Sequence, residues 1–219
     1  MKLLKTFLVV GCFFLLSHQS SAQARIDLGL KGGLNFSSIN ASASAVQNYK
    51  GRTGYHVGAY VLVKIAKFGI QPEVIFSKQG QTYSFPGNSN LQSNFDYINI
   101  PIMLKLYLAA GLNLQAGPQF GFLANSKGDL FNSGTSTVST GQNLNNFVKS
   151  SDVSLGLGVG WDLPFGLNLT ARYNLGLSDI NKYTGGSIPG QYTSSLGTSQ
   201  AKNQVFQFSV GYRLFKIGS

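Results

Sequence analysis

The sequence predicts an all-β fold: an eight-stranded antiparallel up-and-down transmembrane β-barrel. Eight stretches alternate apolar and polar residues with a period of two, and the apolar side of each stretch is unbroken. Successive side chains of a strand point to opposite faces of its sheet, so each stretch reads as a strand with one apolar face. Charged residues and glycines occupy the second face. This combination is typical of a barrel whose outer surface contacts lipid and whose interior is polar.

Residues 1–22 are predicted to be a signal peptide, which leaves residues 23–219 as the barrel domain. Lysines near the start provide positive charge, Thr6 to Leu16 is apolar, and Ser20 to Ala22 supplies small residues for cleavage near Ala22. The apolar run of about eleven residues is shorter than the roughly 20 that a spanning helix needs, which disfavours an N-terminal membrane anchor.

The composition excludes several classes of function. The chain has 17 Lys and Arg against 7 Asp and Glu, a net charge of +10. These basic residues neither cluster on a helix nor form a run with interleaved aromatics, which argues against nucleic-acid binding. Cys12 is the single cysteine and lies in the predicted signal peptide, so we expect no disulfide or thiol chemistry. His56 is the single histidine after residue 22, and we predict neither a metal site nor a cofactor.

The predicted strands share the same alternation. In the first strand Ile26, Leu28 and Leu30 face one way, whereas Asp27 and Lys31 face the other. The eight strands are predicted over Arg25 to Phe36, Thr53 to Ile65, Phe68 to Ser77, Tyr97 to Tyr107, Leu112 to Leu123, Asp152 to Leu163, Leu167 to Leu177 and Gln204 to Phe215.

The connections alternate in length. Those after the second, fourth and sixth strands are a few residues long, whereas the others are long and rich in Ser, Asn, Gly and Gln. Short turns on one rim and long loops on the other indicate an integral barrel in the outer membrane of a Gram-negative cell, with the long loops outside. The longest loop, Ala124 to Ser151, has low complexity and is predicted to be mobile. A soluble lipocalin-type barrel is disfavoured because so many Phe, Leu and Ile side chains would not fit inside eight strands.

The inward-facing charges form the first candidate site. By parity the lumen holds Arg25, Asp27, Lys31, Lys64, Glu73, Lys105, Asp152, Asp162, Arg172 and Arg213. Buried charges need partners, and we expect Lys105, Arg172 and Arg213 to approach Glu73. The predicted charge network comprises Asp27, Lys64, Glu73, Lys105, Asp162, Arg172 and Arg213. We interpret it as a salt-bridged plug; the alternative is a narrow solute or ion pore, for which eight strands leave little bore.

A second candidate is the pair His56 and Ser77, which hairpin register places opposite each other in the lumen. With a carboxylate such a pair could form an outer-membrane lipid hydrolase. A lipid hydrolase needs its site to open toward lipid, however, so we expect a hydrogen-bonded lumenal histidine and no enzyme activity.

Aromatic residues near the strand ends predict two interfacial girdles, because amphipathic rings favour the level of the lipid headgroups. The predicted girdle residues are Phe36, Tyr55, Phe76, Phe120, Phe122 and Phe206 at the outer end, and Phe68, Trp161 and Tyr212 at the inner end.

Basic residues in or beside the outer loops predict contact with outer-membrane lipid and lipopolysaccharide, by charge pairing with anionic headgroups. The basic residues of this region are Lys50, Arg52, Lys78, Lys127, Lys149, Lys182 and Lys202, and the predicted contacts are Lys50, Arg52 and Lys149. Ordinary solvated charge is the alternative interpretation.

Several segments resemble the PorT-like outer-membrane β-barrel family. They are Gln71 to Gly80 (QPEVIFSKQG), Tyr97 to Tyr107 (YINIPIMLKLY), Leu114 to Leu123 (LQAGPQFGFL), Ala171 to Ile180 (ARYNLGLSDI) and Val210 to Phe215 (VGYRLF). The resemblance implies a barrel recognised by the barrel-insertion machinery, with Phe215 as the terminal aromatic signal, although Lys216 to Ser219 extend beyond it. It also implies a protein partner in a secretion complex.

Together these features predict a monomeric, non-enzymatic barrel in a structural, surface-interaction or secretion-accessory role. The narrow pore and the hydrolase built on His56 and Ser77 remain as alternatives.

Overall fold

The computed structural model of this chain describes residues 24–41, 48–84, 90–132, 137–145, 148–180, 192–194 and 201–218. The predicted signal peptide therefore lies outside the described residues. The strands are β1 (Arg25–Ala41), β2 (Asn48–Ile65), β3 (Phe68–Ser84), β4 (Asn90–Tyr107), β5 (Leu112–Asn132), β6 (Thr137–Asn143), β7 (Ser151–Asp162), β8 (Leu167–Gly176), β9 (Tyr192–Ser194) and β10 (Ala201–Ile217).

Eight of these strands close into an antiparallel barrel, which confirms the predicted fold. The ring runs β1-β2-β3-β4-β5-β7-β8-β10, and β10 pairs with β1 to complete it. The two short strands stand outside the ring, where β6 and β9 each pair with the outer end of β5. Among the described residues, no helix is long and apolar enough to cross a membrane.

The two faces of the wall have opposite chemistry. Outward side chains are apolar and exposed, as at Val57 (55%) and Leu104 (60%), whereas inward side chains are mostly polar and buried, as at Asn35 and Ser77 (both 0%). A soluble protein buries its apolar face, so this arrangement suits a wall surrounded by lipid. The parity predicted for the strands is the parity observed.

Short turns join the strands at the end opposite the long connections. Ala66–Lys67 links β2 to β3, a turn around Ala110 links β4 to β5, and Pro164 to Gly166 links β7 to β8. Ala66 adopts a φ of 52° and Gly166 a φ of 96°. Positive φ suits tight hairpins because it matches the twist of the paired strands.

Six strands are longer at their outer ends than predicted. β1 ends at Ala41, β2 begins at Asn48, β3 ends at Ser84, β4 begins at Asn90, β5 ends at Asn132 and β10 begins at Ala201. Outside the bilayer the outward face meets water, so the apolar alternation stops although the backbone pairing continues.

Strands occupy most of Ala124 to Ser151, where the sequence predicted a loop, and the mobility of this segment stays a prediction. β5 continues through the first part of the segment, and β6 folds back on β5 as a hairpin.

Candidate functional site: the lumen and the outer wall

An ion cluster crosses the middle of the lumen. The guanidinium of Arg172 donates to both oxygens of Glu73, from Nη1 to Oε2 at 3.0 Å and from Nη2 to Oε1 at 2.7 Å. Nζ of Lys31 lies 3.2 Å from Oε2 of the same carboxylate. These three side chains are at most 2% exposed. Gln71 donates to Glu73 at 2.8 Å, and Gln115 accepts from Arg172 at 3.2 Å.

This central cluster draws on four strands, β1, β3, β5 and β8, so it spans the lumen from wall to wall. Two cations and one carboxylate meet there, and neutral amides occupy the remaining positions. Buried charges that pair with one another across the lumen are typical of a filled barrel interior.

A second set of charges lies nearer the short-turn end. Arg25 donates to Asp27 at 2.9 Å, and Nη1 of Arg213 lies 3.8 Å from the same carboxylate. On the other side of the lumen Nζ of Lys105 lies 3.2 Å from Asp162.

Tyr107 links this set to an apolar layer of the lumen. Its hydroxyl donates to Asp162 at 2.6 Å, and Nζ of Lys64 sits 3.7 Å from the centre of its ring. Tyr107 also belongs to a buried cluster with Tyr60 and Leu62.

The lumenal charges therefore form separate groups at different depths, whereas the sequence predicted a single network around Glu73. Of the three predicted partners only Arg172 contacts Glu73; Lys105 pairs with Asp162, and Arg213 lies beside Asp27. The register explains the difference, because Lys105 stands opposite Gly69, four residues along β3 from Glu73. Four strand residues correspond to about 13 Å. Lys31, rather than Lys105, is the lysine that contacts Glu73.

His56 is hydrogen-bonded, but not to the predicted partner. Its Nε2 lies 2.8 Å from Oγ of Ser209, and its Nδ1 lies 2.8 Å from Oδ1 of Asn35. Ser77 stands opposite His56 in the register, yet its Oγ accepts from Asn35 at 2.9 Å. All four side chains are buried. The contact between base and nucleophile that the hydrolase hypothesis requires at Ser77 is therefore missing.

Buried apolar side chains lie toward the outer end of the lumen, and we call this set the apolar cap. It consists of the buried side chains Phe95, Tyr97, Leu144, Val148, Ile180 and Val205. The backbone amide of Leu144 donates to Ser126 on β5 at 3.0 Å, and that of Lys149 donates to Ile180 at 2.8 Å. A Cβ added at inward-facing Gly128 would lie 2.5 Å from Leu144, so this leucine packs directly on the inner wall.

Sequence reasoning missed this apolar cap because four of its six members lie in polar connections between the predicted strands. The available signal was the apolar group Leu144, Phe147 and Val148 in a stretch rich in Ser, Thr, Gly and Asn.

The predicted girdle residues all expose their rings on the outer wall. Those named at the outer end are Phe36, Tyr55, Phe76, Phe120, Phe122 and Phe206, and those at the inner end are Phe68, Trp161 and Tyr212. Phe208, which the prediction omitted, joins them through edge-to-face contacts with Phe36 and Phe206 at centroid distances of 6.3 and 4.8 Å. Trp161 also donates from its indole nitrogen to the carbonyl of Ala110 at 3.0 Å.

The structure describes the side chains of two of the three predicted lipopolysaccharide contacts. The side chain of Lys50 lies outside the described residues, and Lys149 is exposed next to the apolar cap. Arg52 lies elsewhere, in a groove of about 430 Å³ on the outer wall that also contains Tyr55, Lys78, Asn94, Asp96 and Lys127. We call this feature the wall groove. Within the part of the chain that the structure describes, no cluster of His, Cys, Asp and Glu is suited to a metal ion.

The sequence matches a known family of outer-membrane proteins. A family model described as outer membrane protein beta-barrel domain matches residues 18–182. Among solved structures, Neisserial surface protein A is 9% identical, over 85% of this chain and 97% of that chain, with a TM-score of 0.48. Ail, the attachment invasion locus protein of Yersinia pestis, solved with the heparin analogue sucrose octasulfate, is 13% identical over 88% of this chain and 99% of that chain, with a TM-score of 0.46. No curated protein matches the sequence.

Proposed function

Because the chain belongs to the family of outer membrane protein beta-barrel domains, we propose that it is a closed, non-enzymatic surface barrel with a structural or surface-interaction role. One observation carries the proposal: the lumen is filled at three depths. The charges around Asp27 and Asp162 occupy the short-turn end, the central cluster occupies the middle, and the apolar cap occupies the outer end.

The central cluster is the strongest argument against a conducting pore. A solute would have to displace Arg172 or Lys31 from Glu73, and leaving either charge unpaired in a buried site costs about 3–5 kcal/mol. The apolar cap adds a second barrier, because an ion crossing it would lose its hydration without gaining a polar partner.

The lengthened strands support a role at the cell surface. β3, β4 and β5 continue well past the aromatic residues of the outer girdle and stay paired with one another, as at Lys78 with Asp96. This part of the wall is a rigid sheet outside the bilayer. A rigid platform loses little conformational entropy when a partner binds.

The finer assignment is part of the proposal. The PorT-like segments favour an accessory role beside a secretion complex, and the N-terminal pattern favours cleavage of a signal peptide near Ala22 followed by insertion as a monomer through the barrel-insertion machinery. Crosslinking in native membranes, followed by identification of the attached proteins, would test the secretion role. Recovery of lipid alone would contradict it.

Conductance in planar bilayers tests the closed lumen. The full-length protein should insert without producing stable current steps. The matched control is the variant that combines Lys31→Ala, Glu73→Ala and Arg172→Ala, which removes the central cluster without leaving a charge unpaired. Stable steps from the unmodified protein would overturn the proposal in favour of the pore. Steps from the variant alone would support it, by showing that the central cluster blocks the path.

A further inference from the structure

The wall groove lies at the height where the outer surface changes from apolar to charged. Phe76 on β3, Ile98 on β4 and Phe122 on β5 form one row of paired, outward-facing apolar residues. This row contains two members of the predicted outer girdle, so it marks the upper limit of the hydrocarbon layer.

The next two rows outward are polar and charged. Lys78, Asp96 and Asn125 pair across β3, β4 and β5, and one step further Asn94 pairs with Lys127. Strand residues rise about 3.3 Å each. The groove therefore begins within about 7 Å of the girdle row, at the level of lipid headgroups.

Arg52 reaches this surface because β2 is irregular. The register of β2 with β3 shifts between Gly51 and His56. Arg52 then extends over β3 and β4, where its Nη1 donates to Oδ1 of Asn94 at 2.9 Å. Because this partner is a neutral amide, the contact orients the guanidinium, and among the described residues Arg52 has no ion-pair partner.

The groove carries more positive than negative charge. Its charged side chains are Arg52, Lys78 and Lys127 against Asp96. The one ion pair is loose, with Nζ of Lys78 at 3.9 Å from Asp96 and 45% of the Lys78 side chain exposed. Lys127 makes no ion pair with any residue that the structure describes. Two of the three positive charges are thus available to a ligand.

We propose that the wall groove binds the phosphate of a phosphorylated glycolipid in the outer leaflet. Arginine and lysine together favour phosphate, because the planar guanidinium provides a pair of donors and the ammonium adds a compact charge. The volume of about 430 Å³ exceeds that of a phosphate and leaves room for the sugar that bears it.

A lipid suits the site better than a soluble phosphate. Directly below the groove the wall is continuously apolar, with exposed Val57, Val74 and Phe76 on β2 and β3. A molecule with a phosphate and acyl chains would contact both surfaces at once. This inference is independent of the closed lumen, because conductance reports on the interior and lipid retention reports on the wall.

Lipid binding by native mass spectrometry tests the inference. The full-length protein in detergent is titrated with bisphosphorylated lipid A and, in parallel, with the same glycolipid after removal of its phosphates. The unmodified protein should prefer the phosphorylated form. The variant that combines Arg52→Gln, Lys78→Gln and Lys127→Gln should bind it about tenfold more weakly, since charge-assisted contacts to phosphate are lost.

The matched control combines Lys67→Gln, Lys202→Gln and Lys216→Gln. It removes the same charge from exposed positions that do not line the groove, and it should retain lipid A within about twofold. The inference is overturned if both variants lose affinity equally or if neither does. Displacement of lipid A by excess inorganic phosphate alone would also overturn it, since the site would then belong to a soluble anion.

Each variant is first checked for folding by the difference in electrophoretic mobility between heated and unheated samples. If the triple variant does not fold, Lys127→Gln alone replaces it, because Lys127 makes no ion pair that the substitution would break among the described residues. The single variant should still bind phosphorylated lipid A measurably more weakly than Lys202→Gln does, and equal binding by the two would contradict the inference.

Discussion

The same barrel holds arginine and lysine in two opposite environments. In the lumen, Arg172 and Lys31 are buried and share the carboxylate of Glu73 at hydrogen-bond distance. On the outer wall, Arg52 and Lys78 are partly exposed, with an amide and a distant carboxylate as partners. The comparison teaches that the buried cations share a carboxylate at hydrogen-bond distance, whereas the cations of the outer wall keep exposed charge that a ligand can reach.

The largest expected effect comes from removing the carboxylate that the two buried cations share. Glu73→Gln would leave Arg172 and Lys31 facing each other without a carboxylate, and we expect the free energy of unfolding to fall by about 3–5 kcal/mol. Denaturant unfolding in lipid vesicles, followed through the fluorescence of Trp161, the single tryptophan, measures it.

Arg52→Gln on the outer wall is the control for that experiment. It should change stability by no more than about 0.5 kcal/mol, because exposed charges contribute little to folding. Equal losses of stability in the two variants would contradict the distinction between paired charge in the lumen and exposed charge on the outer wall.

A smaller effect is expected from a substitution in the apolar cap, toward the outer end of the lumen. Leu144→Ala should cost about 2 kcal/mol locally and speed hydrogen exchange of the capping amides roughly 30-fold. Hydrogen-exchange mass spectrometry of peptides around Lys149 measures this. Leu108→Ala, at an exposed position beside a short turn, should leave exchange at the cap unchanged. Unaltered protection in Leu144→Ala would mean that the apolar cap does not depend on this leucine.

The smallest expected effect is on lipid binding at the wall groove. Asp96→Asn removes the single carboxylate that lines the wall groove and raises its positive charge. Retention of phosphorylated lipid A should increase, by about threefold at moderate salt. The gain should disappear at high ionic strength. Weaker retention would show that Asp96 orients Lys78 rather than competing with the ligand.

The wall was predictable from sequence because its signal is local. A period of two needs only neighbouring residues, so the outward placement of Leu34, Val57 and Leu104 follows from the pattern. The partners inside the barrel were not predictable in the same way. Lys105 and Asp162 are 57 residues apart, and whether they meet depends on the stagger of all the strands between them. The stagger is a property of the closed ring.

The outer end escaped prediction for a different reason. The apolar alternation marks only the part of a strand that lies in lipid, so it ends near Phe76 and Phe122 although β3 and β5 continue. The groove was only partly foreseen: Arg52 was named as a lipid contact, but the irregularity in β2 that carries it over to Asn94 has no sequence signature.

The strict alternation of the wall also limits how such a chain can change in length. Inserting or deleting one residue at the centre of β3 would move Glu73 into the hydrocarbon and Val74 into the interior. In the described strands the register shifts occur near Leu28, Gly51, Asp96 and Gly128, whereas the pairing of β3 around Glu73 is regular. We therefore expect homologous sequences to differ by substitutions throughout the ring, and by insertions and deletions chiefly near its two rims.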